Sequence, residues 1–401
     1  MKAVATFNTG SSSVKFALFT LTENGAPGEA LLRGNLADLH GTPGLKLSAA
    51  GPDPAELCNR LTRHGTDAVH LIPAIARWLS EWLASIRPGS EIAVAGHRIV
   101  HGGLHYTGPV RASPKVLEHL DRLAPFAPSH QPHNLAGVRA LAGAMPDLDQ
   151  TLSFDTAFHR TAPHIAQLYA LPRSLSREGI IRYGFHGLSF AHVARIAGEV
   201  FGARPERLIA LHLGSGASAC GLRNGESVAT SMGLTALDGL MMATRCGDLD
   251  PGVVLHLIQD RGLPPGEVAE MLYRKSGLLG VSGMSADMRT LLDSDAPEAH
   301  EAVDLYVYRI TREVGALAAA LGGVDALVFT GGVGENAAAI RDKVCAALGW
   351  LGLDLDTARN AEGSGLISSG NSSITAAIIP ADEEIVIAEE AADVLSPSNL
   401  R

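Results

Sequence analysis

Two long segments of the chain carry apolar residues three and four positions apart. In the first, from Leu71 to Ile86, this spacing places an apolar stripe along one face of a helix, and Pro88-Gly89 ends it. In the second, from Val303 to Leu321, the same spacing runs up to Gly322-Gly323. The pattern therefore predicts two long amphipathic helices, each with one face in a core.

Shorter apolar runs lie between the helical segments and are followed by polar or glycine-rich turns. They occupy residues 3–7, 14–19, 92–95, 151–154, 208–213 and 326–329. Runs of this length are typical of buried strands. Because strands alternate with helices, the sequence predicts an α/β fold.

The length and charge of the chain limit what the protein can be. Its 401 residues exceed the size at which one hydrophobic core stops growing, about 250–300 residues, so we expect two domains. The net charge of −10 argues against a protein that binds nucleic acid or anionic membranes. An anionic substrate would have to meet cations that are placed locally.

The cysteines and the apolar runs indicate a cellular compartment. Cys58, Cys220, Cys246 and Cys345 are scattered and form no CxxC pair, so neither a zinc site nor a disulfide framework is expected. No apolar run is long enough for a signal peptide or a membrane span. We therefore expect a soluble protein of the reducing cytoplasm.

Three turns rich in glycine and serine follow predicted strands. Two of them, Asn8 to Ser13 and Gly214 to Ser218, join hairpins, and Lys15 follows the first. The N–H and hydroxyl groups of such turns can bind a phosphate, although ordinary hairpin tips have the same composition. Two hairpins of one type predict an internal duplication with a phosphate between two lobes.

The third turn, Thr330 to Asn336, stands between a strand and a helix. Its glycines allow a ligand to approach the backbone in front of a helix start, which indicates a nucleotide. No GxxxxGK[ST] sequence occurs anywhere, so a bound nucleotide requires a fold other than the P-loop fold.

Two charged side chains follow buried strands. Asp155 comes directly after residues 151–154, where an Asp followed by Thr is either a helix cap or a group placed for chemistry. Arg98 extends the strand at 92–95 and needs an anionic partner, which is either a carboxylate of the protein or one of a substrate.

Other candidates lie in loops. His130 and His133 belong to a proline-rich loop before a helix from about Asn134, where they are either ligands or loop hydrogen-bonding groups. His186 stands at the entrance of a helix, and Arg245 stands in a loop rich in glycine and aspartate. In the tail, the adjacent acids of the segment ADEEIVI are either the charges of a helix N-terminus or ligands of a hard cation such as Mg²⁺.

Nine motifs occur in a defined order: NTGSSSVKF, GHRIVHGG, FDTAFHRTAP, YGFHGLS, HLGSGAS, TRCGDLDPG, SADMR, FTGGVGEN and DEEIVIA. In this series the chain resembles the acetate kinases and related short-chain acyl kinases over nearly its full length. The resemblance implies an α/β fold of two duplicated βββαβαβα lobes with a nucleotide cleft between them, as in sugar kinases, Hsp70 and actin. We expect an N-terminal lobe at residues 1–155, completed by about 388–401, and a C-terminal nucleotide-binding and dimerisation lobe at 156–387.

The same resemblance implies a reaction and partners. The reaction is the reversible, Mg²⁺-dependent transfer of the γ-phosphoryl group of ATP to acetate, which gives acetyl phosphate and ADP, and Mn²⁺ is an alternative metal. The protein would be a homodimer, without a nucleic-acid or membrane partner.

Site residues are implied motif by motif. Asn8 and Glu383 correspond to the metal contacts. Asp155, His186, Arg245 and His130 correspond to the groups around the transferred phosphoryl group. Arg98, Val100, Ser129, Phe185 and Ala236 correspond to the acyl-substrate contacts. The nucleotide contacts correspond to Lys15, Ser11, Ser13, His212, Leu213, Gly214, Ser215, Gly216, Asp287, Met288, Arg289, Gly332, Val333, Gly334, Glu335 and Asn336.

These residue types suit the chemistry. Transfer to a carboxylate brings an anion toward a polyanion, so arginines that position groups and neutralise charge are expected. A carboxylic acid with a pKa near ~4 is already ionised at neutral pH and needs no general base. We therefore expect Asp155 to orient Arg98 or a metal-bound water.

Some positions depart from the family pattern. Ser215 replaces the usual asparagine, which shortens a phosphate-facing side chain, and Asp382 replaces an asparagine before the two glutamates. Phe190 stands where a second histidine is usual in the motif after His186. Ser129 and Ala236 replace a leucine and a proline, so the acyl pocket is expected to admit propionate nearly as well as acetate.

Two alternative functions remain at this stage. One is a kinase that prefers propionate or butyrate. The other is a non-catalytic, ATP-gated binding module of the same fold, which would not need two arginines beside Asp155 and His186.

Overall fold

The structure is a computed structural model that describes residues 1–10, 13–48, 53–128 and 130–396. The chain divides into two compact units. Unit 1 consists of Met1–Phe158 and Asp382–Arg401, and unit 2 consists of His159–Ala381. The lobe boundaries expected from the sequence, after residue 155 and near residue 387, lie a few residues from these positions.

The first segment of unit 1 contains seven strands and four helices among its described residues. In chain order they are β1 (Lys2–Thr9), β2 (Ser13–Leu21), β3 (Pro27–Ala37), β4 (Gly44–Leu47), α1 (Pro54–Thr62), α2 (Ala68–Ile86), β5 (Glu91–Ile99), β6 (Val110–Arg111), α3 (Pro114–Asp121), α4 (Gln131–Ala144) and β7 (Asp149–Phe154).

Unit 2 follows with α5 (His164–Gln167), α6 (Arg173–Arg177), α7 (Gly187–Val200), β8 (Arg207–Leu213), β9 (Ala217–Arg223), β10 (Glu226–Thr230), α8 (Pro251–Gln259), α9 (Pro265–Arg274), α10 (Gly277–Ser282), α11 (Met288–Leu292), α12 (Pro297–Leu321), β11 (Ala326–Thr330), α13 (Gly331–Asn336), α14 (Ala338–Ala347), α15 (Thr357–Glu362), β12 (Gly365–Leu366) and β13 (Thr375–Ile378). The chain then returns to unit 1 with α16 (Glu383–Leu395).

The sheets of the two units share one topology, apart from an additional edge strand, β4, in unit 1. In unit 1 the strand order is β4-β3-β2-β1-β5-β7-β6, and in unit 2 it is β10-β9-β8-β11-β13-β12. Each sheet combines an antiparallel meander, three parallel central strands and a short antiparallel edge strand. The predicted α/β fold with an internal duplication is therefore confirmed.

The sheet of unit 1 is buried on both faces. Alternate residues of β1 point to opposite sides, so Phe7 packs into a core with α1 and α2 while Val4 packs against Ala388 and Ala391 of α16. This explains why the strand reads as a continuous apolar run instead of an alternating pattern. Within the described ranges, no helix is both long and apolar enough to cross a bilayer.

Both long helices are confirmed. Helix α2 begins after Asp67, whose side chain accepts a hydrogen bond from the backbone N–H of His70, and α12 ends at Gly322 in the left-handed region. Helix α4 begins at Gln131, earlier than the expected start near Asn134. Pro132 lies in the first turn of α4, where backbone N–H groups have no partner within the helix, so its missing N–H costs no hydrogen bond. The expected loop through residue 133 is therefore wrong.

The contact of α16 with β5 can be tested by Gly96→Ala. The new Cβ atom would lie 2.6 Å from Cγ2 of Ile387 and 3.3 Å from Cβ of Ala391. We expect this overpacking to lower the free energy of unfolding in urea by about 1–3 kcal/mol. Gly143→Ala is the control, because Gly143 lies in α4 with no atom near its Cβ position, and it should be neutral or stabilising by up to about 1 kcal/mol. An equal loss in both variants would contradict this packing.

Candidate active site

Three side chains of unit 1 meet where its parallel strands end. Strands β1, β5 and β7 run in parallel, so their carboxyl ends lie at one edge of the sheet. Asn8 and Arg98 lie at the ends of β1 and β5, and Asp155 directly follows β7. Sequence reasoning found all three side chains, and the sheet brings them together.

Arg98 lies at the centre of this cluster. Its Nε donates to Oδ1 of Asp155 at 3.0 Å and its Nη2 donates to Oδ2 at 2.6 Å. Its Nη1 donates to Oδ1 of Asn8 at 2.9 Å and lies 3.7 Å from Oε2 of Glu383. Burial by itself would lower the pKa of Arg98, but the Asp155 and Glu383 carboxylates outweigh burial and raise it. The anionic partner that the sequence required is therefore a carboxylate of the protein.

The tail acids join the same cluster. Glu383 and Glu384 form the first turn of α16, so the interpretation as helix N-terminal charges is correct for their position. The Asn8 amide donates to Oε2 of Glu383 at 2.7 Å and to Oε1 of Glu384 at 3.2 Å. Burial raises the pKa of Glu384, Lys15 lowers it, and Glu383 raises it further.

The donor set at this point fits a hard cation. Mg²⁺ is usually held by one or two carboxylates together with waters and phosphates, and two carboxylates converge here on the Asn8 amide. In the part of the chain that the structure describes, no group of three or more His, Cys, Asp and Glu side chains forms a metal site. Asp382 caps α16 and pairs with Arg33 through both oxygens at 2.8 and 2.6 Å, and Nη1 of Arg33 lies 4.0 Å from Oε2 of Glu384.

The other candidates of unit 1 lie around this edge. His130 is the N-cap residue of α4. Val100 is buried, and its N–H donates to Oδ1 of Asn134 in the same helix at 3.2 Å. Ser13 is the first residue of β2, and Lys15 lines a groove of about 290 Å³ with Lys46. Ser11 and Ser129 lie outside the described residues.

In unit 2 the side chains of His186 and Arg245 both approach Gly216. A Cβ atom at Gly216 would lie 3.4 Å from Cε1 and Nε2 of His186 and 3.7 Å from Nη1 of Arg245. The His186 ring stacks on His212 with centroids 4.2 Å apart, and its Nδ1 lies 2.9 Å from Oγ of Ser218. His186 is the N-cap residue of α7 and has a φ of 57°, in the left-handed region.

Arg245 differs from Arg98 in its partners. Its Nη1 donates to the backbone oxygen of Ala236 at 2.9 Å. Across the described residues, no carboxylate lies within ion-pair distance of it, and burial lowers its pKa. A partly buried arginine without a carboxylate leaves its charge available for an anionic ligand.

The glycine-rich turn at 214–216 and the start of α13 share an edge of the unit 2 sheet. Strands β8 and β11 are parallel neighbours that pair Thr330 with His212, so the segments that follow them lie side by side. The turn expected from Thr330 to Asn336 is wrong, because α13 (Gly331–Asn336) begins directly after β11. The turn at 214–216 closes through Gly214 N–H to Gly216 oxygen at 2.9 Å. In α13, Glu335 Oε1 accepts from the N–H of Gly331 at 3.0 Å. The nucleotide-contact candidates of these segments are His212, Leu213, Gly214, Ser215, Gly216, Gly332, Val333, Gly334, Glu335 and Asn336.

Two further predicted positions have structural tasks. Asp287, which precedes Met288 and Arg289, caps α11 by accepting from the Thr290 N–H, and this hydrogen bond lowers its pKa. Phe185 is buried, and its backbone oxygen lies 3.0 Å from Nε2 of His159.

Two supporting residues escaped the sequence interpretation. Asn134 links two strand ends, because its Nδ2 donates to the Thr9 oxygen at 2.9 Å while its Oδ1 accepts from Val100. Arg341 is buried and donates through Nη1 to the backbone oxygens of Gly334 and Glu335 at 2.9 and 2.8 Å. Asn134 contacts backbone groups far away in sequence, and Arg341 contacts backbone oxygens, which every residue has, so no local pattern marks either side chain.

Comparisons with known proteins identify the family. The sequence model described as the Acetokinase family matches residues 3–389. A protein from Rhodopseudomonas palustris (strain TIE-1) named acetate kinase is 46% identical over 385 residues, 95% of each chain. One of the same name from Rhizobium meliloti is 43% identical over 400 residues and the full length of both chains.

Solved structures agree with this result. The crystal structure of Porphyromonas gingivalis acetate kinase aligns with a TM-score of 0.81 and 36% identity, covering 99% of this chain and all of the other. A propionate kinase from Francisella tularensis subsp. tularensis SCHU S4 aligns with a TM-score of 0.86 and 31% identity, covering 98% of this chain and all of the other. The chain belongs to the acetokinase family, and it is a kinase, a phosphotransferase.

Proposed function

We propose that the protein catalyses the reversible transfer of the γ-phosphoryl group of ATP to acetate, which yields acetyl phosphate and ADP. The observation that carries this proposal is the half-buried Arg245, which lies beside His186 at Gly216 and has no carboxylate partner in the described chain. A non-catalytic module would have no reason to keep such a cation unpaired.

Arg245 and His186 act on the phosphoryl group in this proposal. Charge spreads over the equatorial phosphoryl oxygens in the transition state, and preorganised cations stabilise it most strongly where water is excluded. The hydrogen bond from Arg245 to the Ala236 oxygen fixes the guanidinium without neutralising it. Ser218 fixes the His186 ring in the same way.

Arg98 holds the acyl carboxylate, and Asp155 orients Arg98. Asp155 engages Nε and Nη2 of the guanidinium, which fixes its plane. The acceptor carboxylate is already an anion at neutral pH, so the forward reaction has no proton for Asp155 to remove. His130, at the N-cap of α4, is assigned to the phosphoryl group as in the resemblance.

Asn8, Glu383 and Glu384 are proposed to hold Mg²⁺, with Mn²⁺ as a substitute, directly or through water. When bound, the cation supplies charge that neutralises the ATP phosphates. The chain contributes the geometry, because the Asn8 amide already ties both glutamates together at the end of β1.

Backbone N–H groups of the turn at 214–216 and of α13 are proposed to bind the nucleotide. Gly331 can approach the end of β8 only without a side chain, since a Cβ atom there would lie 2.8 Å from the Leu213 oxygen. Lys15, Ser11 and Ser13 are assigned to the phosphates, and residues 287–289 to the rest of the nucleotide. Arg341 supports α13 by donating to the backbone oxygens of Gly334 and Glu335.

We further propose that the protein is a cytoplasmic homodimer. Helix α8 has the sequence PGVVLHLIQ, yet none of its residues is buried, and Leu255 is 53% exposed. A second copy of the chain would cover this helix. The four cysteines are unpaired, which suits a reducing compartment.

We predict that Arg245→Ala lowers kcat about 10²–10³-fold, or about 2.7–4 kcal/mol of transition-state stabilisation. Arg245→Lys should recover only part of the rate, because a lysine cannot reproduce the planar fork of donors. The rate is measured by trapping the acyl phosphate with hydroxylamine in the presence of ATP, Mg²⁺ and acetate. Arg274→Ala, at an exposed i,i+4 pair with Glu270, is the matched control and should keep the wild-type rate. A kcat within about threefold of wild type for Arg245→Ala would refute the role, and no acyl hydroxamate with any short acid would favour a binding module.

We predict that propionate is used nearly as well as acetate. Each buried methylene contributes about 0.8 kcal/mol, roughly fourfold in binding, and Ser129 and Ala236 are smaller than the usual leucine and proline. Val100 and Phe185 should limit longer acids. The test compares kcat/KM for acetate, propionate and butyrate in wild type and in the double variant Ser129→Leu, Ala236→Pro. An acetate preference above about a hundredfold that persists in the double variant would exclude this pocket.

We predict that Leu255→Glu converts the dimer into a monomer, because a buried, unpaired carboxylate in an apolar interface is strongly unfavourable. Light scattering should give twice 41.8 kDa for wild type and 41.8 kDa for the variant. Lys115→Glu, an exposed charge reversal in α3, is the control and should leave the mass unchanged. A dimeric Leu255→Glu variant would place the interface elsewhere.

A further inference from the structure

A long irregular segment of unit 2 carries two of the proposed site residues. Between Thr230, the last residue of β10, and Pro251, the first residue of α8, no helix or strand occurs, and this whole segment lies in the described range 130–396. Ala236 and Arg245 belong to it, and Nη1 of Arg245 donates to the Ala236 oxygen at 2.9 Å. The position of Arg245 therefore depends on how the backbone around Ala236 is held.

The hydroxyl group of Tyr169 holds the first part of this segment. Its Oη accepts a hydrogen bond from the backbone N–H of Leu234 at 2.6 Å. Backbone outside a helix or a strand ladder relies on such partners for its polar groups. Because Leu234 lies two residues before Ala236, the hydroxyl fixes the chain next to a residue that is assigned to the acyl pocket.

Arg182 connects the two sides of the same stretch. Its Nη1 donates to the backbone oxygen of Ser231 at 2.9 Å and lies 3.0 Å from Oδ2 of Asp238. Ser231 precedes Ala236 and Asp238 follows it, so one guanidinium group bridges the stretch 231–238. The side chains of Arg182 and Asp238 are only 26% and 33% exposed, and solvent therefore screens this pair less than the ion pairs of the open surface.

Tyr169 and Arg182 also hold each other. The Arg182 guanidinium lies over the Tyr169 ring, with Cζ 5.4 Å from the ring centroid, where the negative face of the ring attracts the cation. The backbone N–H of Arg182 donates to the oxygen of Gln167, two residues before Tyr169, at 2.8 Å. Tyr169, Arg182 and Asp238 thus form one group, the Arg182 cluster.

Gly233 shows how closely the Arg182 cluster approaches the backbone. A Cβ atom at Gly233 would collide with Oη of Tyr169 and with Oδ2 of Asp238. The backbone oxygen of Gly233 accepts from the N–H groups of Tyr183 and Gly184 at 3.0 and 3.3 Å. The stretch 231–238 is therefore held by side chains on one side and by the backbone that leads into α7 on the other.

The same contacts connect the two acyl-pocket candidates of unit 2. Arg182 lies three residues before Phe185 in the chain, and its side chain bridges the stretch that contains Ala236. The spacing of Phe185 and Ala236 therefore depends on the Arg182 cluster. No step proposed above uses any side chain of this cluster.

We propose that Tyr169, Arg182 and Asp238 are positioning residues, which hold the stretch 231–238 so that Ala236 closes the acyl pocket and its backbone oxygen seats Arg245. Each acts through the backbone around Ala236 and not on the substrate itself. When the stretch is loosened, longer acids are admitted and Arg245 is less well placed, so both selectivity and turnover change. The effect on catalysis rests on the proposed function, whereas the fixing of the stretch does not.

The first test is Tyr169→Phe, which keeps the ring under Arg182 and removes only the hydroxyl that receives the Leu234 N–H. Trapping with hydroxylamine gives kcat and KM for ATP and for each acid. We expect kcat with acetate to fall about tenfold, the equivalent of about one hydrogen bond, and the KM for ATP to stay within about twofold. The kcat/KM for butyrate relative to acetate should rise at least about threefold, because a wider pocket buries more methylene surface.

Tyr308→Phe is the matched control. The Tyr308 ring also lies against an arginine, with Cζ of Arg312 5.9 Å from its centroid, but Tyr308 is 59% exposed on α12. This variant should keep the turnover and the selectivity of wild type. Wild-type kinetics in Tyr169→Phe would overturn the proposal, and so would a lower Tm with an unchanged butyrate-to-acetate ratio, which is the result expected of a residue that only stabilises the fold.

A second variant pushes the Arg182 cluster away from the backbone and covers the case in which Tyr169→Phe does not fold. Gly233→Ala places a methyl group against Tyr169 and Asp238, and the backbone of Gly233 is not in the left-handed region, so alanine can adopt it. We expect the same changes in turnover and selectivity. Gly266→Ala, at an open position in α9, is the control. Unchanged kinetics in Gly233→Ala would contradict the proposal.

Hydrogen exchange tests the fixing of the stretch without any substrate. In Tyr169→Phe the Leu234 amide loses its acceptor, so peptides that contain it should exchange at least about tenfold faster at this site than in wild type or Tyr308→Phe. An unchanged exchange rate would overturn the positioning role of the hydroxyl. If wild type phosphorylates no carboxylic acid, the proposed function fails, and the exchange rate at Leu234 still decides whether the cluster holds the stretch.

Discussion

The pairing of Arg98 with Asp155 is the interaction on which unit 1 depends. An arginine at the end of a core strand loses much of its hydration, and only a carboxylate in good geometry offsets that loss. Three structural features provide it. Parallel strands β5 and β7 end at the same edge, the loop after β7 begins with Asp155, and α16 returns from the far end of the sequence to place Glu383 nearby. These contacts fix Arg98 in position, and the carboxylates of Asp155 and Glu383 compensate its charge.

The two arginines of the proposed reaction are held in opposite ways. Arg98 is bound by a carboxylate, which raises its pKa and fixes its plane, so it is suited to orienting a substrate carboxylate. Arg245 is held by a backbone oxygen, which fixes its position but leaves its charge uncompensated. A cation that must stabilise charge developing in the transition state is most effective when no protein anion competes for it. The difference in partners therefore matches the difference in proposed task.

The sequence by itself determined the fold class, the internal duplication, both long helices, the family and the type of enzyme. Hydrophobic periodicity and turn composition are local signals, and the ordered motifs are specific. Only the tertiary structure decided which carboxylate satisfies Arg98, that Asp382 pairs with Arg33, that α4 starts at Gln131, that Asn134 links two strand ends, and that Arg341 supports α13. Apart from the start of α4, these are contacts that join groups far apart in the chain or use backbone atoms, which every residue has. Strand register and the return of α16 bring them together, and no local pattern encodes that pairing.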